Sequence, residues 1–293
     1  EPRILIVGLG LIGGSLAAAL RASGYAGQII ACDPNEQEVA LGIELGLVDA
    51  GGVELANCLK GVSMVVLAVP VLAMESVMST LSRSLDQAAP DVVITDVGST
   101  KATIRDCAER VFGRVMPNIV LGHPIAGSEK SGVAAANPSL YVNHKVILTP
   151  EPDVDPVALA RVETLWRACG ADVLQMSVER HDQVLARTSH LPHLLAFSLV
   201  DTLARQDERL DIFRYAAGGF RDFTRIAGSD PVMWRDIFLN NREAVLEMLE
   251  KIRSGGDDVQ TFVKKVKNRE EGVKLMGFGH RVYKNYDPRA RIV

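Results

Sequence analysis

Gly8, Gly10 and Gly13 stand in the spacing G-x-G-x-x-G, between an apolar run over residues 4–7 and a small-residue helical pattern over 15–20. Each glycine has a task in binding a dinucleotide. Gly8 permits a tight turn, Gly10 lets the backbone approach a pyrophosphate, and Gly13 lets the helix pack close to the strand. The amides of that helix's first turn, at Leu11 and Ile12, then face the phosphates. A second apolar run ends at Asp33, twenty residues past Gly13, where a carboxylate accepts the ribose hydroxyls of an adenosine. A glycine motif alone is common, but strand, turn, helix, strand and acid in this order predict a dinucleotide site. The Asp33 charge repels a 2′-phosphate, and Pro34 and Asn35 bring no cation to neutralise one. The expected cofactor is therefore NAD and not NADP. Val69 and Pro70, where the run 64–69 ends in a turn, belong to the same cofactor edge.

His123 stands in Gly-His-Pro-Ile-Ala-Gly at the end of another apolar run, and Ser99 follows a run that ends near Asp96. A lone histidine usually does no more than hydrogen-bond within its loop. Beside a nicotinamide the weighting changes. Hydride transfer needs a partner that takes the proton from the substrate hydroxyl, and neutral imidazole suits that near pH 7. Ser99 is expected to orient the ring. His190 and His193, three apart, share one helical face. Without a third ligand or an H-E-x-x-H spacing, they predict substrate contacts or core hydrogen bonds and no metal site. Arg221 and Arg225 are four apart and also share a face. They read equally well as a solvated charged face or as a clamp for a dicarboxylate, since each guanidinium can bind a carboxylate bidentately.

Those side chains need a scaffold, and the apolar runs supply one. Residues 64–69, 92–95, 119–121 and 145–148 alternate with stretches of helical length and pattern. This predicts the α/β Rossmann class, a doubly wound parallel sheet. Ligands of such sheets bind outside the carboxyl ends of the strands, the edge that carries Ser99 and His123. A proline-rich loop over 151–156, a helix over 157–169 and a last strand over 171–175 complete this part. From about Glu179 the pattern turns helical, with one long helix over 179–204 kinked at Pro192. The expected organisation is a cofactor domain over 1–178, an all-helical second domain over 179–250, and a tail of different origin over 251–293.

The 293 residues are 47% hydrophobic and 23% charged, enough to bury a sizeable core in two domains. The apolar runs are too short to span a bilayer, and no basic-then-apolar leader opens the chain. Glu1 in place of an initiator Met predicts a short native segment ahead of it. Cys32, Cys58, Cys107 and Cys169 are scattered singly, as in a reduced, cytoplasmic protein. A net charge of −4 argues against a general nucleic-acid binder. That figure hides a swing: residues 251–293 carry 11 Lys and Arg against 5 Asp and Glu, whereas the first 250 carry 21 against 31.

The motifs GLGLIGGS (8–15), DVGSTK (96–101), GHPIAGSEKSG (122–132), SHLPH (189–193) and GGFRDFTRIAGSDPVMW (218–234) occur in this order. On them, the chain from Arg3 to about Arg242 resembles the prephenate/arogenate dehydrogenase family of tyrosine biosynthesis. The resemblance implies NAD(P)-linked oxidative decarboxylation of a cyclohexadienol. Hydride leaves the ring carbon bearing the hydroxyl and CO₂ leaves the opposite ring carbon, giving 4-hydroxyphenylpyruvate or tyrosine. It implies that His123 polarises the ring hydroxyl with support from Ser99, and that Arg225 holds the ring carboxylate. Arg221, Asp222, His190, His193 and Trp234 would line the substrate pocket, with Ser128 and Glu129 in the loop that gates or contacts substrate. A homodimer through the helical domain is implied as well. Prephenate and arogenate are not separated, because one pyruvyl-versus-alanyl contact decides between them.

The motif GFGHRVYKNYDPRA (277–290) departs from that pattern. From Glu243 onward the sequence resembles an internal segment of bacterial citrate synthase. By that resemblance His280 matches one catalytic histidine and Arg289 a citrate-binding arginine. A second family histidine is absent, and the catalytic aspartate would lie past Val293. The chain therefore reads as a chimera, either a working dehydrogenase or an NAD-binding protein impaired by its foreign end. Transfer chemistry of the citrate synthase type would need partners this chain lacks. Val259, Phe262, Val263 and Val266 predict a short amphipathic helix. The run past Gly272 predicts a loosely docked or disordered end exposing Phe278, Tyr283 and Tyr286.

Overall fold

Ile4 to Val7 are buried without exception in a computed structural model that describes residues 2–128, 130–206 and 209–254. Ile4 and Ile6 face one core with Met64, Val66, Val93, Val120 and Val146. Leu5 and Val7 face a second with Val65, Leu67, Ile94, Ile119 and Leu121. Apolar side chains on both faces of the central strands demand a sheet covered on both sides.

The strands are β1 (Arg3–Val7), β2 (Gln28–Cys32), β3 (Ala50–Gly52), β4 (Met64–Leu67), β5 (Val93–Asp96), β6 (Ile119–Pro124), β7 (Lys145–Thr149) and β8 (Asp172–Gln175). They form one eight-stranded sheet in the order β3-β2-β1-β4-β5-β6-β7-β8. Helices α1 (Leu11–Ala22), α2 (Glu36–Glu44), α3 (Leu55–Cys58), α4 (Met74–Ser82), α5 (Lys101–Phe112) and α6 (Pro156–Ala168) are interleaved with them. Leu16 and Leu20 of α1 with Val162 and Trp166 of α6 seal the first core. Leu55, Met78, Leu81 and Ile104 of α3, α4 and α5 seal the second.

The doubly wound α/β expectation holds, with one correction at the β6 side. Strands β3 to β6 run parallel, but β7 is antiparallel to β6, and β8 follows β7 in parallel. Between β6 and β7 the described residues form a single short 3-10 turn, at Val133–Ala135. Without a crossover helix the returning strand pairs antiparallel. The short strand β3, Ala-Gly-Gly, carries no apolar pattern that would announce it.

After β8 the described elements are helical: α7 (Val178–Leu185), α8 (Leu191–Ala204), α9 (Arg209–Arg214), α10 (Gly218–Thr224), α11 (Pro231–Asn240) and α12 (Arg242–Ser254). Ser177 caps α7, and Asp230 caps α11 ahead of Pro231, the usual chemistry of helix starts. The helix expected over 179–204 is broken by a π-helical turn at Ala186–His190, while Pro192 sits in the first turn of α8. Proline has no N–H for the carbonyl four residues back, at Thr188, and the wider turn absorbs that mismatch.

Two compact units are present, Glu1–Val245 and Leu246–Val293. The first contains the sheet and α1 to α11. Of the second, residues 246–254 are described and are helical. The stripe of Val259, Phe262, Val263 and Val266, together with Phe278, His280, Tyr283, Tyr286 and Arg289, lies outside the described residues. Among the described residues no helix is long and apolar enough to cross a membrane.

Candidate active site

β1 delivers the chain to Gly8, whose φ of +95° lies in the left-handed region. A Cβ there would sit 2.5 Å from the Ala68 carbonyl, so the turn closes against the chain leaving β4, beside Val69 and Pro70. A Cβ on Gly13 would lie 2.0 Å from the Gly8 carbonyl, whereas one on Gly10 would meet nothing within 4 Å. Gly13 thus seats α1 against the strand, and Gly10 leaves open space above the helix start. No side chain caps α1, which leaves the Leu11 and Ile12 amides for an outside anion. Asp33, at the end of β2, accepts the Leu9 amide at 2.7 Å through Oδ2 and the Asn35 amide at 2.8 Å through Oδ1. Each oxygen keeps a lone pair for a ribose hydroxyl. The cradle fits a dinucleotide: open at Gly10, lined by amides at α1 and acidic at the ribose end.

His123 is 8% exposed at the end of β6. Its Nδ1 lies 2.9 Å from His181 Nε2, and His181 Nδ1 lies 2.7 Å from Asp182 Oδ1. Asp182 also accepts the Lys101 and Ala102 amides at the start of α5, each at 2.9 Å. Burial pushes the Asp182 carboxyl up, but the His181 bond and the two amides hold its pKa below the ordinary value. An ionised carboxylate only accepts, so His181 donates from Nδ1 and accepts at Nε2. His123 must then donate from Nδ1, which leaves a lone pair on its Nε2. Among the described residues that nitrogen has no hydrogen-bond partner. Burial, with His181, Lys101 and His190 nearby, holds the His123 pKa well below its ordinary value. The ring is neutral and able to take a proton.

Ser99 makes no bond to His123. The ring is oriented by His181, which corrects the expectation that Ser99 orients it. A buried ion pair holds the strand on the other side: Lys101 donates to the Asp96 carboxylate and to the Gly122 carbonyl. Asp96 accepts the Gly98 amide at 2.7 Å and the Gly122 amide at 3.1 Å. The residue before His123 is thereby tied to the end of β5. His181 and Asp182 do have a signal in the sequence. Val178, His181, Asp182 and Leu185 are the buried residues of α7, spaced as the apolar stripe of a helix. Two polar residues on that stripe call for buried partners.

The helical region brings further residues together. Asn241 donates to the Asp182 carbonyl at 2.8 Å and lies 3.0 Å from His190 Nδ1. Burial pushes the His190 pKa down to about 4. The Trp234 ring stacks on His193 with centroids 3.6 Å apart and meets His190 edge-on at 6.3 Å. Burial also lowers the His193 pKa, and the Arg225 cation adds to that. Hydrogen bonds and ring contacts therefore connect His123, His181, Asp182, Asn241, His190, Trp234 and His193, and the Arg225 charge acts on the end of that series at His193. Arg225 is exposed and has no ion-pair partner among the described residues. Arg221 and Asp222 lie exposed on α10, where no hydrogen bond or ion pair joins them to the histidines. Ser128 is exposed in the loop after β6, its Oγ accepting the Lys130 amide at 3.2 Å. Glu129 lies outside the described residues. Among the described residues no group of three or more His, Cys, Asp or Glu is placed to hold a metal ion.

A family model described as "Prephenate dehydrogenase, nucleotide-binding domain" matches residues 16–175, and one described as "Prephenate dehydrogenase, dimerization domain" matches residues 177–278. The chain belongs to the prephenate dehydrogenase family. Within that family, the prephenate dehydrogenase of Bacillus subtilis is 38% identical over 261 residues, 89% of this chain and 70% of that protein. The cyclohexadienyl dehydrogenase of Zymomonas mobilis is 37% identical over 251 residues, 84% of this chain and 83% of that protein. The crystal structure of prephenate dehydrogenase from Aquifex aeolicus, in complex with hydroxyphenyl propionate and NAD+, shares 39% identity and a TM-score of 0.80 over 92% of each chain.

The second resemblance is found too. Citrate synthase 1 of Mycobacterium tuberculosis is 68% identical over 71 residues, 24% of this chain and 16% of that protein. A stretch similar to citrate synthase is thus carried on a chain of the prephenate dehydrogenase family. The dimerization-domain match reaches residue 278. The likeness to prephenate dehydrogenases therefore runs on past Glu243, and a 71-residue citrate synthase likeness is longer than the segment 243–293, so the two overlap and the changeover expected at Glu243 is not a sharp one.

Proposed function

We propose that this chain carries out the NAD-dependent oxidative decarboxylation of prephenate, of arogenate or of both, giving 4-hydroxyphenylpyruvate or tyrosine. The observation that carries this reading is His123. It is a buried, neutral imidazole whose Nε2 lone pair is left open by the chain of bonds to Asp182. NAD, held by the turn of residues 8–13, the α1 amides, Asp33, Val69 and Pro70, supplies the hydride acceptor. His123 Nε2 takes the ring-hydroxyl proton as the carbon–hydrogen bond beside it breaks. Loss of CO₂ returns a bonding pair to the ring, and the phenolate oxygen takes the proton back from His123. The proton is borrowed, so the reaction neither releases nor consumes one.

Ser99 supports the ring hydroxyl, and the unpaired Arg225 guanidinium holds the ring carboxylate. His190, His193, Trp234, Arg221, Asp222, Ser128 and Glu129 line the pocket. The names of the curated relatives support a dienol substrate. Residues 1–178 form the cofactor domain and 179–250 the helical substrate domain, with 251–293 the foreign tail. A homodimer through the helical region is supported by the dimerization-domain match. An apolar groove of about 690 Å³, lined by Phe197, Trp234, Phe238 and Leu239 among others, supports it as well. A cytoplasmic setting is supported by the four unpaired cysteines.

The alternative is an NAD-binding protein whose substrate half is impaired, and the citrate synthase likeness favours it. Assays of NADH formation with prephenate and with arogenate decide between them. Turnover of either dienol supports the first reading, and tight NAD binding with no turnover of either supports the second. Release of CoA thiol from acetyl-CoA and oxaloacetate is expected to be nil, because the likeness spans 16% of that citrate synthase.

A further inference from the structure

His181 is fully buried and bonded at both ring nitrogens, to His123 on one side and to Asp182 on the other. We propose that the proton taken from the substrate hydroxyl comes to rest on His181, so that the base of this site is a pair of histidines. His123 is the catalytic residue that meets the substrate, and His181 is the positioning residue that carries the charge. The inference rests on the dehydrogenase reading above.

The atoms balance without a co-reactant. His123 Nε2 gains the hydroxyl proton, and the proton on His123 Nδ1 crosses the 2.9 Å bond to His181 Nε2. One O–H and one N–H bond break, and two N–H bonds form. His123 ends neutral in its other tautomer, and His181 ends as an imidazolium whose Nδ1–H donates to Asp182. When the phenolate reclaims its proton, the same two transfers reverse.

The surrounding charges favour His181 as the resting place. Apart from His181, His123 faces Lys101 and His190, which oppose a positive charge, and burial opposes it further. His181 is also opposed by burial and by Lys101, but the carboxylates of Asp182 and Asp96 favour its charged form. The ion pair forms where Asp182 is already ionised and held by the α5 amides, so little reorganisation is needed when charge develops. Full burial of His181 gives its proton no direct route to water. That suits a reaction in which the proton must be returned and not discharged.

Nitrogen-15 NMR of the histidine-labelled full chain tests the pair, with resonances assigned by His123→Asn and His181→Gln. At neutral pH, His123 and His181 should each carry the proton on Nδ1 and a bare Nε2. On acidification His181 should be the first of the two to show both nitrogens protonated. A neutral His123 protonated on Nε2, or one that charges before His181, overturns the proposal. His181→Gln adds a kinetic test. Its amide can still accept from His123 and donate to Asp182, but it cannot take a proton. It should lower kcat by about 10²-fold, the low end for lost acid–base help, with NAD affinity unchanged and the acid limb of the kcat profile displaced. A kcat within about threefold of the parent would show that His181 only orients the ring. If the parent turns over neither dienol, the functional reading fails, while the NMR result still decides the pair.

Discussion

At the scale of single residues, His123 acts through one nitrogen because two bonds away an ionised Asp182 dictates which nitrogen is free. His123→Asn should lower turnover by about 10²–10⁴-fold, the usual loss of general acid–base help, and leave NAD affinity nearly unchanged. A variant close to the parent would reduce His123 to a structural part. Asp33 holds the buried Leu9 amide in addition to the ribose role proposed for it. Asp33→Ser should narrow the preference for NAD over NADP by removing repulsion of the 2′-phosphate. It should also weaken NAD binding by about 10-fold as the turn loses its anchor. Ratios of kcat/KM for the two cofactors read this directly, and equal use of NADP by the parent would refute the role of Asp33. Arg225 is exposed, so the clamp proposed for it would be partly screened. Arg225→Ala should raise the substrate KM by about 30-fold, roughly 2 kcal/mol. An unchanged KM would return the arginine pair to a solvated face.

At the scale of elements, the start of α1 separates folding from binding within one motif. Gly13 has no room for a Cβ, while Gly10 has room and faces the phosphate position. Gly13→Ala should therefore push α1 off the strand and lower the melting temperature, costing about 1–3 kcal/mol as an overpacked core does. Gly10→Ala should melt like the parent and lose most of its NAD affinity, because the methyl occupies the space a pyrophosphate needs. Calorimetry beside NAD titration distinguishes them, and equal thermal losses would contradict the geometry. The glycine spacing was readable because it is a local backbone requirement. A kink at Pro192 was readable for the same reason, but not its form as a π-helical turn at Ala186–His190, within which His190 packs against Asn241 and Trp234.

At the scale of the whole molecule, three buried histidines with lowered pKa values link stability to acid. His190 titrates at about 4 in the folded chain against an ordinary 6.5. Between those values the unfolded chain binds a proton that the folded chain refuses, so stability must fall as pH drops from about 6.5 to about 4. His190 alone accounts for roughly 3 kcal/mol of that loss, and His123 and His181 act in the same direction. Asp182, held below its ordinary 3.8, stabilises above that value and adds its own loss only in stronger acid. Melting temperatures across this range should fall steeply, and less steeply in His190→Gln. A flat profile in the parent would mean that the histidines are not buried neutral.

The amino-acid sequence by itself determined the cofactor cradle, the layered α/β sheet and the change to helices. Each depends on spacing over a few residues: a turn needs glycine at Gly8, a two-faced strand needs apolar residues throughout, and a helix start needs a cap such as Asp230. It also placed His123 on the correct strand end. The tertiary structure decided what His123 can do. The His181–Asp182 pair of α7, Asn241 after α11 and Lys101 at the start of α5 reach the site from separate segments, and no local spacing records that these segments meet. The direction of β7 was likewise settled by the absence of a crossover helix over a long loop. A proton's position on a ring depends on which partners surround it, and those partners are assembled only when distant segments pack together.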